Sequence, residues 1–147
     1  MSPRTLYLVR GLPGSGKSSL ALTLGGDCTF AADDFFVIEG RYEFNGKLLP
    51  QAHADCQART EAAMERKARS ISVANTFVER WELVPYQALA ALYGYRVVIM
   101  SLFDGGCTDA ELASRNVHGV PLGAIRSMRA RYDHALTGDP YPPWERT

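Results

Sequence analysis

The chain has 147 residues with 16 acidic and 16 basic side chains, so its formal net charge at pH 7 is zero. This balance argues against a long basic face for duplex nucleic acid, although it leaves room for a small basic patch. No segment approaches about 18 consecutive apolar residues and no signal-peptide core is present, which excludes a membrane partner. We therefore expect a cytoplasmic protein forming a single domain over residues 1–147.

The first predicted elements are a strand, a glycine-rich loop and a helix. Apolar residues 6–9 favour a buried parallel strand, and residues 18–24 favour a helix that Gly25 and Gly26 terminate. Between them, residues 11–18 read Gly-Leu-Pro-Gly-Ser-Gly-Lys-Ser, a complete G-x-x-x-x-G-K-[ST] phosphate-binding loop, the Walker A motif. The residues expected to bind nucleotide are Gly11, Pro13, Gly14, Ser15, Gly16, Lys17, Ser18 and Ser19.

The chemistry of this loop predicts ATP or GTP together with Mg²⁺. Glycines let backbone N–H groups turn toward a polyphosphate, and the N-terminus of the following helix adds partial positive charge. Lys17 would reach the β- and γ-phosphates, and the Ser18 hydroxyl would complete the shell of a Mg²⁺ ion. The alternative, a glycine-rich turn that binds nothing, does not explain the flanking strand and helix.

The next segment combines a short strand with irregular, aromatic-rich chain. Residues 27–32 are mostly apolar and predict a second strand that ends at Asp33 and Asp34. Phe36, Tyr42 and Phe44 alternate in the residues that follow, before an Asn-Gly turn. These rings could stack on a terminal nucleobase or pack in the core.

The middle of the chain predicts two helices and two further strands. Residues 50–70 predict a helix, residues 71–75 a third strand and residues 81–93 a helix with Pro85 near its first turn. Residues 95–103 form the longest apolar run and predict a central strand. The charged side of the first helix is interpreted as a solvated face laced with ion pairs, rather than as a nucleic-acid patch; it carries Arg59, Glu61, Glu65, Arg66, Lys67 and Arg69.

The last third predicts a short helix, a glycine-containing break, another helix and an extended tail. Residues 109–115 form the short helix with Thr108 or Asp109 as its cap, and residues 121–135 form the last helix. The proline-rich tail after residue 139 is expected to be extended. Four strands separated by helices predict a three-layer α/β fold with a mainly four-stranded parallel sheet, and residues 108–121 a helical lid.

Polar residues follow each predicted strand, where a parallel sheet places its ligands. Either Asp33 or Asp34 could accept the proton of an attacking hydroxyl, while the other holds substrate, a metal-bound water or an arginine; the alternative role is a helix cap. Asn75 follows the third strand and could bind a metal-bound water without supplying charge. Asp104 follows the fourth strand and is a weaker candidate, better interpreted as a turn residue.

Positive charge for phosphoryl transfer is expected from the lid. Arg115 precedes the flexible Gly119, which suits a segment that closes over the γ-phosphate. His118 is a candidate phosphate or substrate contact, with a structural role as the alternative. Arg126 and Arg129 could face the cleft or form a solvated helix face.

These motifs together resemble the P-loop kinases of two related groups. The chain is similar to the kinase module of bacteriophage-type 5′-hydroxyl polynucleotide kinases, and more closely to the kinase-like ATPase domain of NEDD4-binding proteins. The matching segments are Arg10-Gly11-Leu12-Pro13-Gly14-Ser15-Gly16-Lys17-Ser18, Ala32-Asp33-Asp34-Phe35-Phe36 with Gly40-x-Tyr42-x-Phe44, Ala52-His53-x-x-Cys56, Ala74-Asn75-Thr76-Phe77, Trp81-Glu82-x-x-Pro85-Tyr86 and Arg115-Asn116-x-His118-Gly119-Val120-Pro121.

The resemblance implies ATP-dependent phosphoryl transfer to the 5′-hydroxyl of a nucleic-acid end. It gives Asp33 the position of the general base, Lys17 and Ser18 those of the phosphate and metal ligands, and Arg115 that of a lid arginine. The chain departs from the phage-type pattern in having Phe36 where an arginine reads the substrate phosphate and Asn75 where an aspartate stands. His118 lies near the place of a second lid arginine, so Asp34, Phe36, Asn75 and His118 are expected on the substrate side.

Two other functions compete with this interpretation. A small-molecule kinase for a nucleoside, sugar or antibiotic would use the same Asp33 and lid. A nucleotide-binding interaction module with weak ATPase activity would need neither Asp33 nor Arg115, and the presence of both argues against it.

Overall fold

The computed structural model describes residues 3–146 and contains six strands, five α-helices and short 3₁₀ turns. The strands are β1 (Thr5–Gly11), β2 (Thr29–Phe30), β3 (Val37–Ile38), β4 (Arg41–Tyr42), β5 (Ser70–Asn75) and β6 (Arg96–Phe103). The helices are α1 (Lys17–Gly25), α2 (Leu49–Glu65), α3 (Arg80–Tyr93), α4 (Asp109–Arg115) and α5 (Leu122–Arg131). The 3₁₀ turns cover Gly26–Cys28, Ala32–Phe36, Gly46–Leu48 and Pro143–Glu145.

Four of the strands form one parallel sheet in the order β2-β5-β1-β6, and β3 and β4 form a separate antiparallel hairpin. Helices flank this sheet, which confirms the predicted three-layer α/β fold with a mainly four-stranded parallel sheet. Within residues 3–146, no helix has the length and apolar character needed to cross a bilayer.

The alternation of side chains along β1 explains the layers. Leu6 and Leu8 are fully buried in a cluster with side chains of α2 and α3, whereas Val9 and Tyr7 pack with side chains of α1. Successive residues of a strand point to opposite faces of the sheet. An uninterrupted apolar run in β1 therefore buries both faces of the sheet at once.

The prediction of a central strand for residues 95–103 is wrong. β6 pairs only with β1 and lies at an edge of the sheet, where most of its side chains are half-buried. An apolar run indicates how much of a strand is buried, but it does not specify which strands pair with it. Here the centre of the sheet is formed by β1 and β5 instead.

Other boundaries also differ from the sequence interpretation. The second strand is limited to Thr29–Phe30, because Gly26–Cys28 forms a 3₁₀ turn before it. Helix α2 ends at Glu65, because Lys67 adopts a left-handed conformation with φ of 62°. Pro85 lies in the second turn of α3 rather than its first, and α5 ends at Arg131. The tail is not wholly extended, since Pro143–Glu145 forms a 3₁₀ turn.

Arg10, the residue before the glycine loop, is a fully buried arginine. Its guanidinium donates hydrogen bonds to the carbonyls of Phe77 (2.8 and 2.9 Å), Val78 (3.1 Å) and Asp133 (3.0 Å). It also lies over the ring of Tyr132, with Cζ 4.1 Å from the ring centroid. The end of β1 is thereby tied to the loop after β5 and to the segment that follows α5.

Replacing Arg10 should destabilise the fold strongly. Arg10→Met removes the charged donor and leaves buried carbonyls without partners, so the free energy of unfolding should fall by about 3 kcal/mol. Urea denaturation measures this change. Arg66→Met, at the exposed C-terminus of α2, is the matched control and should change it by less than about 0.5 kcal/mol. Equal losses in the two variants would contradict the assigned role of Arg10.

Candidate active site at the carboxyl ends of the strands

The glycine loop lies between β1 and α1 and is attached to both neighbouring strands. The N–H of Leu12 donates to the carbonyl of Phe103 at the end of β6 (2.8 Å). The N–H of Gly11 donates to the carbonyl of Thr76 just after β5 (3.3 Å). These contacts fix the loop at the carboxyl edge of the sheet, which is where the sequence predicts a ligand site.

Two glycines in this loop have left-handed backbone conformations for different reasons. Gly14 has φ of 85°, and a Cβ there would lie 2.8 Å from the carbonyl oxygen of Leu112 in α4. Gly16 has φ of 100° and caps α1, and a Cβ there would meet nothing within 4 Å. The loop is therefore packed against α4 at Gly14 and open at Gly16, next to the helix N-terminus.

Lys17 is the first residue of α1 and is half-buried. Its ammonium donates to the carbonyl of Leu12 at the start of the loop, at 3.1 Å. Burial lowers the pKa of Lys17 to about 8, and the negative charge of Asp33 partly opposes this shift. The negative charge of the carboxylate after β2 therefore acts on the lysine of the loop.

Asp33 is held by two side chains that come from distant parts of the chain. Its Oδ1 accepts a hydrogen bond from the Tyr42 hydroxyl at 2.9 Å, and its Oδ2 lies 3.5 Å from Nε2 of His118. The Tyr42 and His118 rings lie against each other with centroids 4.3 Å apart. Burial and the hydrogen bond to Asp33 raise the pKa of Tyr42, so this hydroxyl remains a donor to the carboxylate.

Asp34 points elsewhere and has a structural role. Its Oδ2 accepts from the backbone N–H of Ala31 at 3.1 Å, which caps the 3₁₀ turn Ala32–Phe36, and lies 3.4 Å from the Arg59 guanidinium. Arg59 also donates to Asp55 (2.8 Å) and to the carbonyl of Ala31 (3.1 Å). Arg59 thus makes the ion pairs expected of this charged face, and its contacts also join α2 to the turn that carries Asp33.

Asn75 ends β5 and supports the same turn. Its Oδ1 accepts from the backbone N–H of Ala32 at 2.9 Å, and its Nδ2 lies 3.9 Å from the Cys56 sulfur. The side chain that was expected on the substrate side thus fixes the start of the segment bearing Asp33.

The lid loop is organised by Asn116. Its Nδ2 donates to the carbonyls of Leu112, Ala113 and Val120, each at 3.1 Å, and its Oδ1 accepts from the N–H of Val120 at 2.8 Å. This closed set of hydrogen bonds shapes the turn from which His118 reaches Asp33.

The candidate lid cations have different environments. Arg115 is exposed, and its guanidinium lies 3.0 Å from the Cys107 sulfur rather than against the loop. Arg129 binds Asp104 (2.8 Å), Asp109 (2.7 Å) and the carbonyl of Cys107, so it joins α5 to the start of α4 and does not face the cleft. Asp104 also accepts from the N–H of Gly106, as expected of a turn residue.

The comparisons with known proteins agree with this geometry. No family model matches the chain. The chain is 42% identical over 141 residues to human NEDD4-binding protein 2, an alignment that covers 90% of this chain and 8% of that protein. It is similar to a chain of the Pnkp1/Rnl/Hen1 RNA repair complex, with a TM-score of 0.62, 16% identity, and coverage of 90% of this chain and 45% of the other. A putative kinase from Chloroflexus aurantiacus gives a TM-score of 0.64 at 15% identity, covering 95% of this chain and 86% of the other.

The chain has the fold of the P-loop kinases. The resemblance that the sequence motifs predict is confirmed, since a sequence relative and the kinase structures both align along most of the chain. Because the alignment spans only 8% of the human protein's length, that protein's overall activity is not transferred to this chain.

The residues of the glycine loop fit a nucleotide with Mg²⁺. The Ser15 hydroxyl is buried and has no hydrogen-bond partner among residues 3–146, and a Cβ at Gly16 would meet no atom within 4 Å, so the loop is open on this side. Over the same residues, no cluster of three or more His, Cys, Asp and Glu side chains is arranged as a metal cage. Ser18 at the start of α1 would therefore share a Mg²⁺ ion with phosphate oxygens and water, the arrangement that Mg²⁺ prefers.

Sequence reasoning missed three residues that build the site. Tyr42 was recognised only as one of several alternating aromatics, Arg59 only as a surface charge, and Asn116 only as part of a family motif. Tyr42 lies nine residues after Asp33, and nothing in that spacing indicates that the tyrosine hydroxyl will donate a hydrogen bond to the aspartate. The Asn116 pattern, an amide before a glycine turn, is the one local signal that could have been used.

The pH dependence of nucleotide binding should report the pKa of Lys17. Since burial lowers this pKa to about 8, the ammonium loses its charge as the pH rises through 8. ATP affinity should then fall by up to about tenfold per pH unit. Calorimetric titration with Mg·ATP from pH 7 to 9.5 measures this slope. Lys17→Arg keeps its charge and should show little slope, so identical slopes would disprove the assignment.

Asn75 should act through its hydrogen bond to Ala32. Asn75→Leu leaves a backbone N–H without its acceptor and should lower the free energy of unfolding by about 1–3 kcal/mol. Asn75→Asp keeps an acceptor oxygen and should retain most of the stability. Urea denaturation without nucleotide compares the two, and equal stabilities would mean that the hydrogen bond is not what matters at this position.

Proposed function

We propose that this domain catalyses ATP-dependent transfer of a phosphoryl group to the 5′-hydroxyl of a nucleic-acid end. The observation that carries the proposal is the placement of Asp33. Its carboxylate is oriented by Tyr42 and by its contact with His118, and its charge acts on Lys17 of the phosphate loop. The charge of the proposed proton acceptor thus acts on a phosphate-binding cation, and phosphoryl transfer to an alcohol needs both groups in one site.

In the proposed reaction, the acceptor oxygen forms a bond to the γ-phosphorus while the bond to the β–γ bridging oxygen breaks. Asp33 takes the proton of the hydroxyl. Lys17 and the loop N–H groups hold the β- and γ-phosphates, and a Mg²⁺ ion bound at Ser18 would neutralise developing charge. Arg115 would add positive charge to the moving group after its side chain leaves the Cys107 sulfur.

Two lines of support favour a nucleic-acid acceptor. One structural relative belongs to an RNA repair complex, and the related segment of NEDD4-binding protein 2 has the same motifs by the sequence resemblance. The formal net charge of zero suits a protein that contacts only the end of a strand, because a long phosphate contact needs a basic surface.

A small-molecule acceptor is the second candidate, and one observation favours it. Phe36, which replaces the substrate-reading arginine of the phage-type pattern, is only 2% exposed and packs edge-on against neighbouring aromatic rings. It cannot contact a substrate from that position, so the expectation that Phe36 binds substrate is corrected. No cation takes its place in the turn Ala32–Phe36.

The two adjacent carboxylates should have unequal effects on phosphoryl transfer. Asp33→Asn keeps the size of the side chain but removes the proton acceptor, so the single-turnover rate should fall by about 10² or more while ATP binding survives. Asp34→Asn is the matched control, since its amide oxygen can still cap the turn, and its rate should stay within a few-fold. Both are measured with ATP and a panel of 5′-hydroxyl oligonucleotides, nucleosides and sugars.

The pattern of results distinguishes the candidates. Transfer to oligonucleotides alone supports the polynucleotide kinase, and transfer to a nucleoside or sugar alone supports the second candidate. A normal rate for Asp33→Asn together with a dead but stable Asp34→Asn would show that the wrong carboxylate was assigned as the base. ATP hydrolysis without transfer to any acceptor would overturn both kinase proposals.

A further inference from the structure

The aromatic side chains of the β3–β4 hairpin region differ sharply in exposure. Phe36 is 2% exposed and belongs to the core, whereas Phe44 is 56% exposed although it lies in the same ring cluster. Tyr42 lies between these extremes. The sequence left open which of these rings stacks on a base and which packs in the core, and their burial now separates the two roles.

The ring cluster of Phe36, Tyr42 and Phe44 extends from the exposed Phe44 ring to the carboxylate of Asp33. The Phe44 and Tyr42 rings are nearly parallel, with centroids 6.5 Å apart and an interplanar angle of 18°. Phe36 meets the Phe44 ring at an angle of 60° with centroids 5.1 Å apart and supports it. The far end of Tyr42 donates its hydroxyl hydrogen bond to Asp33.

We propose that Phe44 is the stacking platform for the terminal nucleobase of the acceptor strand. This inference rests on the proposed 5′-hydroxyl kinase function and names its substrate subsite. The Tyr42 ring is not available to stack on the base, because it already contacts the rings of Phe44 and His118. Tyr42 contacts both Asp33 and Phe44, so one side chain links the proposed proton acceptor to the proposed stacking ring.

The charge around Phe44 indicates how the subsite binds. Residues 37–47 contain two acidic residues, Glu39 and Glu43, and two basic residues, Arg41 and Lys47, so the segment has no net charge. A phosphate-binding surface would need an excess of cations, and its affinity would fall steeply with salt. Stacking on an aromatic ring is available to every base and does not depend on released counterions. The contribution of Phe44 should therefore be nearly independent of salt concentration.

The test compares Phe44 variants with a control from the same hairpin. Phe44→Ala removes the ring and Phe44→Trp keeps an aromatic face. Ile38→Ala is the matched control, since Ile38 is 53% exposed but pairs with Arg41, on the hairpin face opposite to Tyr42. The probes are single-stranded DNA and RNA oligonucleotides with a 5′-hydroxyl, and versions that lack the base of the 5′-terminal nucleotide. Fluorescence anisotropy gives Kd at low and high salt, and kinase assays give KM.

We expect oligonucleotide binding to weaken only in Phe44→Ala, and only for strands that keep the base of the 5′-terminal nucleotide. Its Kd and KM for an oligonucleotide with a terminal base should rise by about 5- to 150-fold at both salt concentrations. Phe44→Trp should retain binding, and Ile38→Ala should match the wild type. Strands without the terminal base should bind wild type and Phe44→Ala equally, and ATP affinity should not change. A larger effect on RNA or on DNA identifies the preferred strand.

Each other outcome overturns the inference or separates it from the proposed function. Normal transfer with unchanged Kd and KM in Phe44→Ala overturns the stacking site and leaves the kinase function standing. A loss of binding by Phe44→Ala that also occurs on strands without the terminal base likewise overturns the stacking site but not the kinase function. A change of oligomeric state in Phe44→Ala does so too, because it assigns the apolar surface to a second copy of the chain. Phe44-dependent binding without transfer supports the subsite and overturns the kinase function. No binding and no transfer overturns both.

Discussion

The buried guanidinium of Arg10 is the interaction on which the arrangement of the site depends. It joins the end of β1 to carbonyls 67, 68 and 123 residues further along the chain, directly before the first glycine of the phosphate loop. A buried cation needs every donor satisfied, because an unpaired one costs several kcal/mol. The loop after β5 and the segment after α5 can therefore occupy only positions that present their carbonyls to Arg10. This constraint also sets the direction in which the chain passes from β1 into the phosphate loop.

The phosphate loop and the helical lid form a single packed unit. Leu12 of the loop lies in one apolar cluster with Leu112 of α4 and Ile125 of α5, and the backbone of α4 passes close to Gly14. Arg129 adds hydrogen bonds that fix the start of α4 to α5. A wholesale movement of the lid would have to break this packing. Turning the exposed Arg115 side chain away from the Cys107 sulfur requires much less, and this is the movement on which the proposed reaction depends.

The acceptor side of the site is built on short, irregular elements. Asp33 lies on a 3₁₀ turn that Asn75, Asp34 and Arg59 hold through hydrogen bonds and an ion pair. Tyr42, from the small hairpin, then orients the carboxylate itself. Regular elements thus position the glycine loop and Lys17, while a network of polar and aromatic side chains positions Asp33, the proposed proton acceptor. This division matches the different demands of the two groups: the phosphate loop uses backbone N–H groups, whereas the acceptor site depends on side-chain chemistry.

The sequence by itself determined the features that depend on local order in the chain. The glycine loop between β1 and α1, a cap for α4 at Thr108 or Asp109 and the three-layer fold follow from residue spacing, turn chemistry and apolar runs. Tertiary structure alone decided which strand is central, that Arg10 is a buried anchor, and that Phe36 is core while Phe44 is exposed. It also decided that Tyr42 and His118 meet at Asp33. The physical reason is that local patterns record the burial and conformation of single elements. Contacts between side chains far apart in the chain arise only when packing selects each element's neighbours.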